Sequence, residues 1–182
     1  DPIGSRGLGD VYKRQIYSTV DGHTKNISKE IGSHIKENFN VTIMSIDEVT
    51  QKTLIDHDRV LIGASIRYGK YRANVFKFIK ENINILRDKS AAFFSVNVVA
   101  RKKEKNLPET NPYIIKFLKQ TQWVPSYIGV FAGKVEYPQY GFFDKYTIRF
   151  IMWLTNGPTD ITQSYEFTDW KAVENFSSLI SS

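Results

Sequence analysis

At 182 residues the chain has the size of one domain with one core, and its 41% hydrophobic and 24% charged residues are those of an ordinary globular protein. The absence of cysteine excludes a disulfide framework and a thiolate metal site, and suits a reducing compartment. A net charge of +6 favours anionic partners (nucleic acid, acidic lipid or a carboxylate-bearing substrate) without choosing among them. The apolar stretch 147–154 is far short of the roughly 20 residues that span a bilayer. Residues 1–15 are polar and Gly-rich, with no apolar segment of the signal-peptide kind, so a soluble or peripheral protein is expected.

Short apolar runs alternate with helical patterns, the arrangement of βαβ units on a parallel sheet. A first strand is predicted to end at Ile16-Tyr17. Just before it, Lys13, Arg14 and Gln15 stand where a strand buried on both faces needs apolar side chains. Residues 4–15 look like translated sequencing-adapter read-through, so 1–15 are expected to be a non-native segment replacing the start of that strand. Residues 16–182 then form one domain. The loop Ser18-Thr19-Val20-Asp21-Gly22-His23-Thr24 follows, then a helix with Ile27, Ile31, Ile35 and Phe39 on one buried face. A second strand is predicted over 41–46 and a third over 59–64, the latter a near-continuous apolar run. Val75, Phe76, Ile79 and Ile83 form the stripe of the next helix, and 91–96 a fourth strand. A basic stretch at 101–105 leads to a helix through Tyr113, Phe117 and Leu118, then a fifth strand over 128–133. A last helix is predicted from the cap Thr168, burying Trp170, Val173, Phe176 and Ile180. The intervening segment is too long for a plain connection, so an insertion with its own structure is expected at about 137–158.

The loop 18–24 joins a strand to a helix, and its hydroxyls at Ser18, Thr19 and Thr24, with Gly22 for a tight turn, suit a phosphate held on backbone N–H groups at a helix N-terminus. It is neither a Walker A loop nor a GxGxxG fingerprint, and an ordinary capped turn would need only one of those hydroxyls. Ligands of open α/β sheets lie beyond the carboxyl ends of the strands. The loops after strands three and four, Ser65-Ile66-Arg67-Tyr68-Gly69 and Asn97-Val98-Val99-Ala100, should therefore complete the same site, with Tyr68 available to stack on a flat ring. His23, His34 and His57 are scattered without partners at ligand spacing, so no metal site is expected, nor any Ser–His–acid arrangement.

Ser18-Thr19-Val20-Asp21-Gly22-His23-Thr24, Ile62-Gly63-Ala64-Ser65-Ile66-Arg67-Tyr68-Gly69 and Ser95-Val96-Asn97-Val98-Val99-Ala100-Arg101-Lys102 resemble the bacterial menaquinone-dependent protoporphyrinogen dehydrogenase family, flavodoxin-like FMN enzymes of haem synthesis. Thr168-Asp169-Trp170 and residues 137–157 also resemble it, so the likeness covers nearly everything from Ile16 onward. It implies a doubly wound, five-stranded parallel sheet in the order 2-1-3-4-5 with an extra helical insertion after strand five. It implies FMN, the phosphate on Ser18, Thr19, Gly22, His23 and Thr24, and the ring against Ser65, Ile66, Arg67, Tyr68, Gly69 and Ser95, Val96, Asn97, Val98, Val99, Ala100. It further implies oxidation of protoporphyrinogen IX with electrons passed to menaquinone or ubiquinone, no nucleic-acid partner, and a cytoplasmic protein held peripherally on the anionic inner membrane. Asp21 stands where ordinary flavodoxins carry Thr; facing a dianion it would be repelled, so it is expected to turn away and cap the helix.

A helix over 142–154 would place Phe143, Tyr146, Phe150, Trp153 and Leu154 on one stripe flanked by Lys145 and Arg149. Two readings stay open: a helix packed on the core, or a cationic aromatic face that meets bilayer, quinone or porphyrin. Arg101, Lys102, Lys103 and Lys105 read as a solvated basic loop, or Arg67 and Arg101 as partners of a substrate propionate. A flavodoxin-type electron carrier and an NAD(P)H:quinone reductase are the rival functions; the first is disfavoured by the net charge of +6, the second by the lack of a second dinucleotide fingerprint.

Overall fold

The computed structural model describes residues 12–18, as backbone, and 22–182. Five parallel strands, β1 (Tyr12–Ser18), β2 (Asn40–Ser45), β3 (Arg59–Ser65), β4 (Ser90–Val96) and β5 (Tyr127–Phe131), form one sheet in the order β2-β1-β3-β4-β5. The helices are α1 (His23–Ile35), α2 (Gln51–Ile55), α3 (Ala73–Glu81), α4 (Ile83–Asp88), α5 (Pro112–Thr121), α6 (Phe142–Leu154) and α7 (Trp170–Ser181). A short antiparallel ribbon of β6 (Lys134–Glu136) and β7 (Ser164–Glu166) brackets α6.

Strand alternation sorts the core onto the two faces of the sheet. Val60, Ile62, Ala64, Ala91 and Phe93 pack with the α2, α3, α4 and α5 side, where Leu54, Val75, Leu86 and Phe117 are buried. Leu61, Ala92, Phe94 and Val96 pack with Ile27, Ile31 and Ile35 of α1 and Val173, Phe176 and Ile180 of α7. Gly63 is required by that second layer, because a Cβ there would run into the Phe94 ring. A third, smaller cluster of Val135, Tyr137 and Met152 belongs to the inserted segment.

Several local expectations are corrected. α1 ends at Ile35, so Phe39 lies beyond it, partly buried against the α1 and α7 layer rather than on the helical face. The stripe from Val75 to Ile83 is split at Asn82, whose side chain donates to the Phe78 carbonyl at 2.8 Å and competes with the helix ladder. α7 is capped by Asp169, which accepts from the Ala172 N–H at 3.1 Å; the Thr168 hydroxyl instead donates to the Ala132 carbonyl at 2.9 Å. Trp170 is 40% exposed, its indole N–H on Glu166 at 2.9 Å. The expectation that residues 1–15 are non-native lies outside the described residues up to 11; Tyr12 to Gln15 form the first half of β1.

Candidate functional site

Beyond the carboxyl end of β3 the chain makes a tight turn in which the Arg67 N–H donates to the Lys70 carbonyl at 3.1 Å and the Lys70 N–H returns to Arg67 at 3.3 Å. Its two central residues, Tyr68 and Gly69, have φ of 50° and 76°, the type I′ pattern. Glycine takes that conformation freely, but a tyrosine does so at a cost of about 1 kcal/mol or more. Beyond β4, Asn97 starts a single turn of 3₁₀ helix over Val98–Arg101 by accepting from the Ala100 N–H at 3.1 Å. Between turn and loop lies a narrow cleft lined by Ser65, Ile66, Arg67, Tyr68 and Gly69 on one side and Val96, Asn97, Val98 and Val99 on the other. Gly133, Lys134 and Val135 close its end, and Tyr140, Ile148, Ile151 and Met152 of the insertion roof it.

Both loops grip α6. The Asp144 carboxylate, in the first turn of α6, accepts from the Arg67 guanidinium at 2.7 Å and from the Tyr68 hydroxyl. Burial alone would lower the Arg67 pKa, yet Tyr68 and Asp144 outweigh it and raise the guanidinium above its ordinary value. The Tyr68 hydroxyl first, then Arg67, hold the Asp144 carboxyl below its usual range. The Arg67 guanidinium also lies 5.4 Å from the ring centres of both Tyr68 and Tyr140. At the other end of α6, Arg101 donates to the Thr155 carbonyl at 2.7 Å, to the Thr155 hydroxyl at 2.9 Å and to the Val98 carbonyl at 3.0 Å. A cation bonded to the last carbonyls of a helix meets the negative end of its dipole.

Residues 16–162 match the Flavodoxin domain family (Flavodoxin_5). The chain is 44% identical over 165 residues to protoporphyrinogen IX dehydrogenase (quinone) of Leishmania major, covering 90% of this chain and 71% of that one. It is 40% identical over 162 residues to the protein of the same name from Escherichia coli K12, covering 88% and 90%. The chain belongs to the flavodoxin-domain protoporphyrinogen IX dehydrogenase family. Among solved structures it resembles a flavodoxin from the domain Archaea, with a TM-score of 0.54 at 16% identity over 93% of this chain and 96% of that one. It also resembles oxidised Flavodoxin 1 from Bacillus cereus, with a TM-score of 0.53 at 14% identity over 92% and 95%. Those likenesses show the flavodoxin-like α/β fold with its parallel sheet, and a domain of this family implies a flavin cofactor.

At the end of the flavodoxin site nearest β1, Thr19 and Asp21 lie outside the described residues, and Ser18 is described as backbone only. Gly22 is the N-cap of α1, with φ of 84° and no described atom within 4 Å of a Cβ built there. The Thr24 hydroxyl is fully buried with no hydrogen-bond partner among the described residues. His23 points away: its Nε2 lies 2.7 Å from the Thr168 hydroxyl and its ring meets Trp170 edge-on at 6.0 Å. This is why the Thr168-Asp169-Trp170 motif, distant in sequence, belongs to the same corner.

Two of the expected ring-contact residues, Ser95 and Ala100, do not line the cleft. Ser95 is fully buried and accepts from the Tyr71 hydroxyl at 2.7 Å and the Asn97 amide at 3.0 Å. Burial pushes the Tyr71 pKa up, so its hydroxyl remains the donor. Ala100 is buried in the core beneath the loop. Asn97 reaches the cleft, but its side chain braces Ser95, Ala100 and Asn111, the last at 3.2 Å. Lys145 is half-buried, while Arg149, Phe150 and Trp153 are exposed and line a groove on the outer face of α6 with Tyr146 and Thr159. Sequence reasoning missed Asp144 and Thr155. The signal for Asp144 was a lone acid in the first turn of a cationic, aromatic helix, where a carboxylate is favoured by the dipole. Among the described residues no group of three or more His, Asp or Glu is placed to hold a metal ion.

Proposed function

We propose that this chain oxidises protoporphyrinogen IX to protoporphyrin IX using FMN and passes the electrons to a membrane quinone. The observation that carries this reading is the cleft between the 65–69 turn and the 97–99 loop, roofed by a helix whose outer face is aromatic and exposed. The residues present fit FMN. Gly22 leaves an open cradle at a helix N-terminus, where a branched side chain would be strained, and the buried Thr24 hydroxyl faces no described partner. Ser18, Thr19, Gly22, His23 (through its backbone) and Thr24 would hold the phosphate, and residues 65–69 with Val96, Asn97, Val98 and Val99 would flank the ring. FMN bound there supplies an acceptor for hydride or single electrons, used in three two-electron rounds to aromatise the macrocycle. The chain's own residues orient and exclude: the Arg67–Asp144–Tyr68 tie and the Arg101–Thr155 cap hold α6 across the cleft, so that water is kept from its inner wall.

No helix among the described residues is long and apolar enough to cross a membrane. The contact with lipid falls instead to α6, whose exposed Phe142, Phe143, Phe150, Trp153 and Leu154 stand beside Lys145 and Arg149. This suits a helix lying in an anionic interface, where a lipophilic quinone is met. FMN-reconstituted protein should convert protoporphyrinogen IX to its porphyrin with menaquinone or ubiquinone as acceptor, and release FMN on denaturation. Gly22→Val should lose FMN and turnover together. Flavin reduction without quinone-linked porphyrin formation would favour a carrier, and FMN retained in full by Gly22→Val would overturn the phosphate placement.

A further inference from the structure

Every cation that lines the flavin cleft is already bonded to a carboxylate. Arg67 holds Asp144 at 2.7 Å, and Lys134 holds Glu136 at 2.7 Å. Arg101, the other arginine suited by sequence to a substrate carboxylate, caps α6. The cleft is narrow and, in the function proposed above, is taken by the flavin ring. A tetrapyrrole bearing two propionates must find both room and charge elsewhere.

On the far side of the 67–70 turn lies a second cavity of about 350 Å³. It shares Ile66, Gly69 and Tyr113 with the cleft, so the two are separated only by that turn. Its floor is aromatic, made by Tyr71, Phe76 and Phe117. Its rim carries Lys70 and Lys116, both exposed, and among the described residues no carboxylate lines it. The type I′ turn makes this division: Arg67 and Tyr68 face the cleft, and Lys70 faces the second cavity. An aromatic floor of rings set at angles to one another, with a cationic rim, matches a puckered, apolar tetrapyrrole with carboxylates along one edge.

We propose that this second cavity is the docking site for the propionate edge of the porphyrinogen, with Lys70 and Lys116 as its carboxylate partners. The inference rests on the function proposed above and names where its substrate is held. Because Tyr113 and Gly69 line both, a macrocycle held at the cationic rim lies next to the cleft. Specificity for the free diacid therefore resides outside the flavin-contacting residues.

The test uses the FMN-loaded chain and the double variant Lys70→Gln/Lys116→Gln, with protoporphyrin IX and its dimethyl ester as probes in dilute detergent. Fluorescence titration should show the diacid bound about tenfold more weakly by the variant, the low end for charge-assisted hydrogen bonds. Ester binding should be unchanged, because the ester presents no anion. KM for protoporphyrinogen should rise by a similar factor with kcat and flavin content kept. Lys70→Arg/Lys116→Arg should restore diacid binding. If the parent oxidises the diacid and the Gln variant keeps its Kd and KM, or loses diacid and ester equally, the docking site is overturned while the function stands. If the parent binds neither probe and turns over no porphyrinogen, the function falls and takes this site with it.

Discussion

Two sets of aromatic side chains in this molecule have the same chemistry and opposite surroundings. Phe93 and Phe117 stack at 4.3 Å, with Trp123 edge-on to both at 6.3 Å, and none of the three is more than 1% exposed. On α6, Phe150 and Trp153 stack at 6.0 Å, yet they are 57% and 64% exposed, and Phe143 reaches 83%. The first set is completed by a sheet carpeted with apolar residues. The second lies on a helix whose one fully buried side chain is Met152, and which polar ties at Asp144 and Thr155 fasten in place. Helical spacing of aromatics therefore announces a stripe and is silent about which surface completes it. An exposed apolar face this large marks an interaction surface.

The largest expected effect separates the two sets by stability. Phe117→Ala should lower the free energy of unfolding by about 3–5 kcal/mol, the range for removing a buried aromatic ring. Phe150→Ala and Trp153→Ala should each stay within about 0.5 kcal/mol, as surface substitutions do. Urea unfolding of the three variants gives both numbers in one experiment. A cost for Trp153→Ala comparable to that of Phe117→Ala would mean that the face is covered in solution, as by a second copy of the chain, and would remove the membrane reading.

The next effect is on lipid binding. Reversing Lys145 and Arg149 to Glu should weaken co-sedimentation with anionic vesicles by at least about thirtyfold at low salt, since each of the two basic residues near such a surface is worth about 1 kcal/mol and reversal removes at least that. The loss should shrink at high salt, where exposed charges are screened. FMN content should be unaffected, because neither side chain lines the cleft. Vesicle binding that survives both this variant and Phe150→Ser/Trp153→Ser would leave α6 a purely structural roof.

The alternating strands and helices were legible because both faces of the sheet are buried, and burial on both faces writes continuous apolar runs such as 60–64 and 91–94. The two flavin-side loops were legible too, as small and polar residues after strands. What could not be read was the allocation of polar groups. Ser95 and Ala100 sit in the middle of a recognisable motif, yet they serve the core beneath it, since a loop that leaves a buried strand must satisfy its own polar groups first. Arg67 and Arg101 resembled anion receptors because a sequence shows their charge without Asp144 and Thr155, which arrive from 77 and 54 residues away. The ribbon of β6 and β7 escaped notice because strands of three residues carry no period to read.

The smallest expected effect tests whether polar ties or apolar packing hold the exposed aromatic face in place. The Asp144 carboxyl is held below its ordinary value by the Tyr68 hydroxyl and then by Arg67. For a depressed carboxyl, the stability contributed is fully present above the unfolded value, about 3.9, and is lost as pH falls through the folded one. The tie should thus be indifferent to pH from 8 down to about 5 and should fail only in acid. Hydrogen exchange by mass spectrometry, corrected for intrinsic rates, should show α6 amides equally protected across that range and opening below it while β3 and β4 stay protected. Asp144→Asn should reproduce the opening at neutral pH, because it removes the charge that Arg67 requires and leaves Tyr68 at positive φ with a weaker partner. The rest of the sheet should not respond, since Asp144 touches neither core layer. If α6 exchange in Asp144→Asn matches the parent at neutral pH, the cluster of Val135, Tyr137 and Met152 with the Arg101 cap suffices to seat the helix, and the Arg67 tie is incidental to where its aromatic face is held.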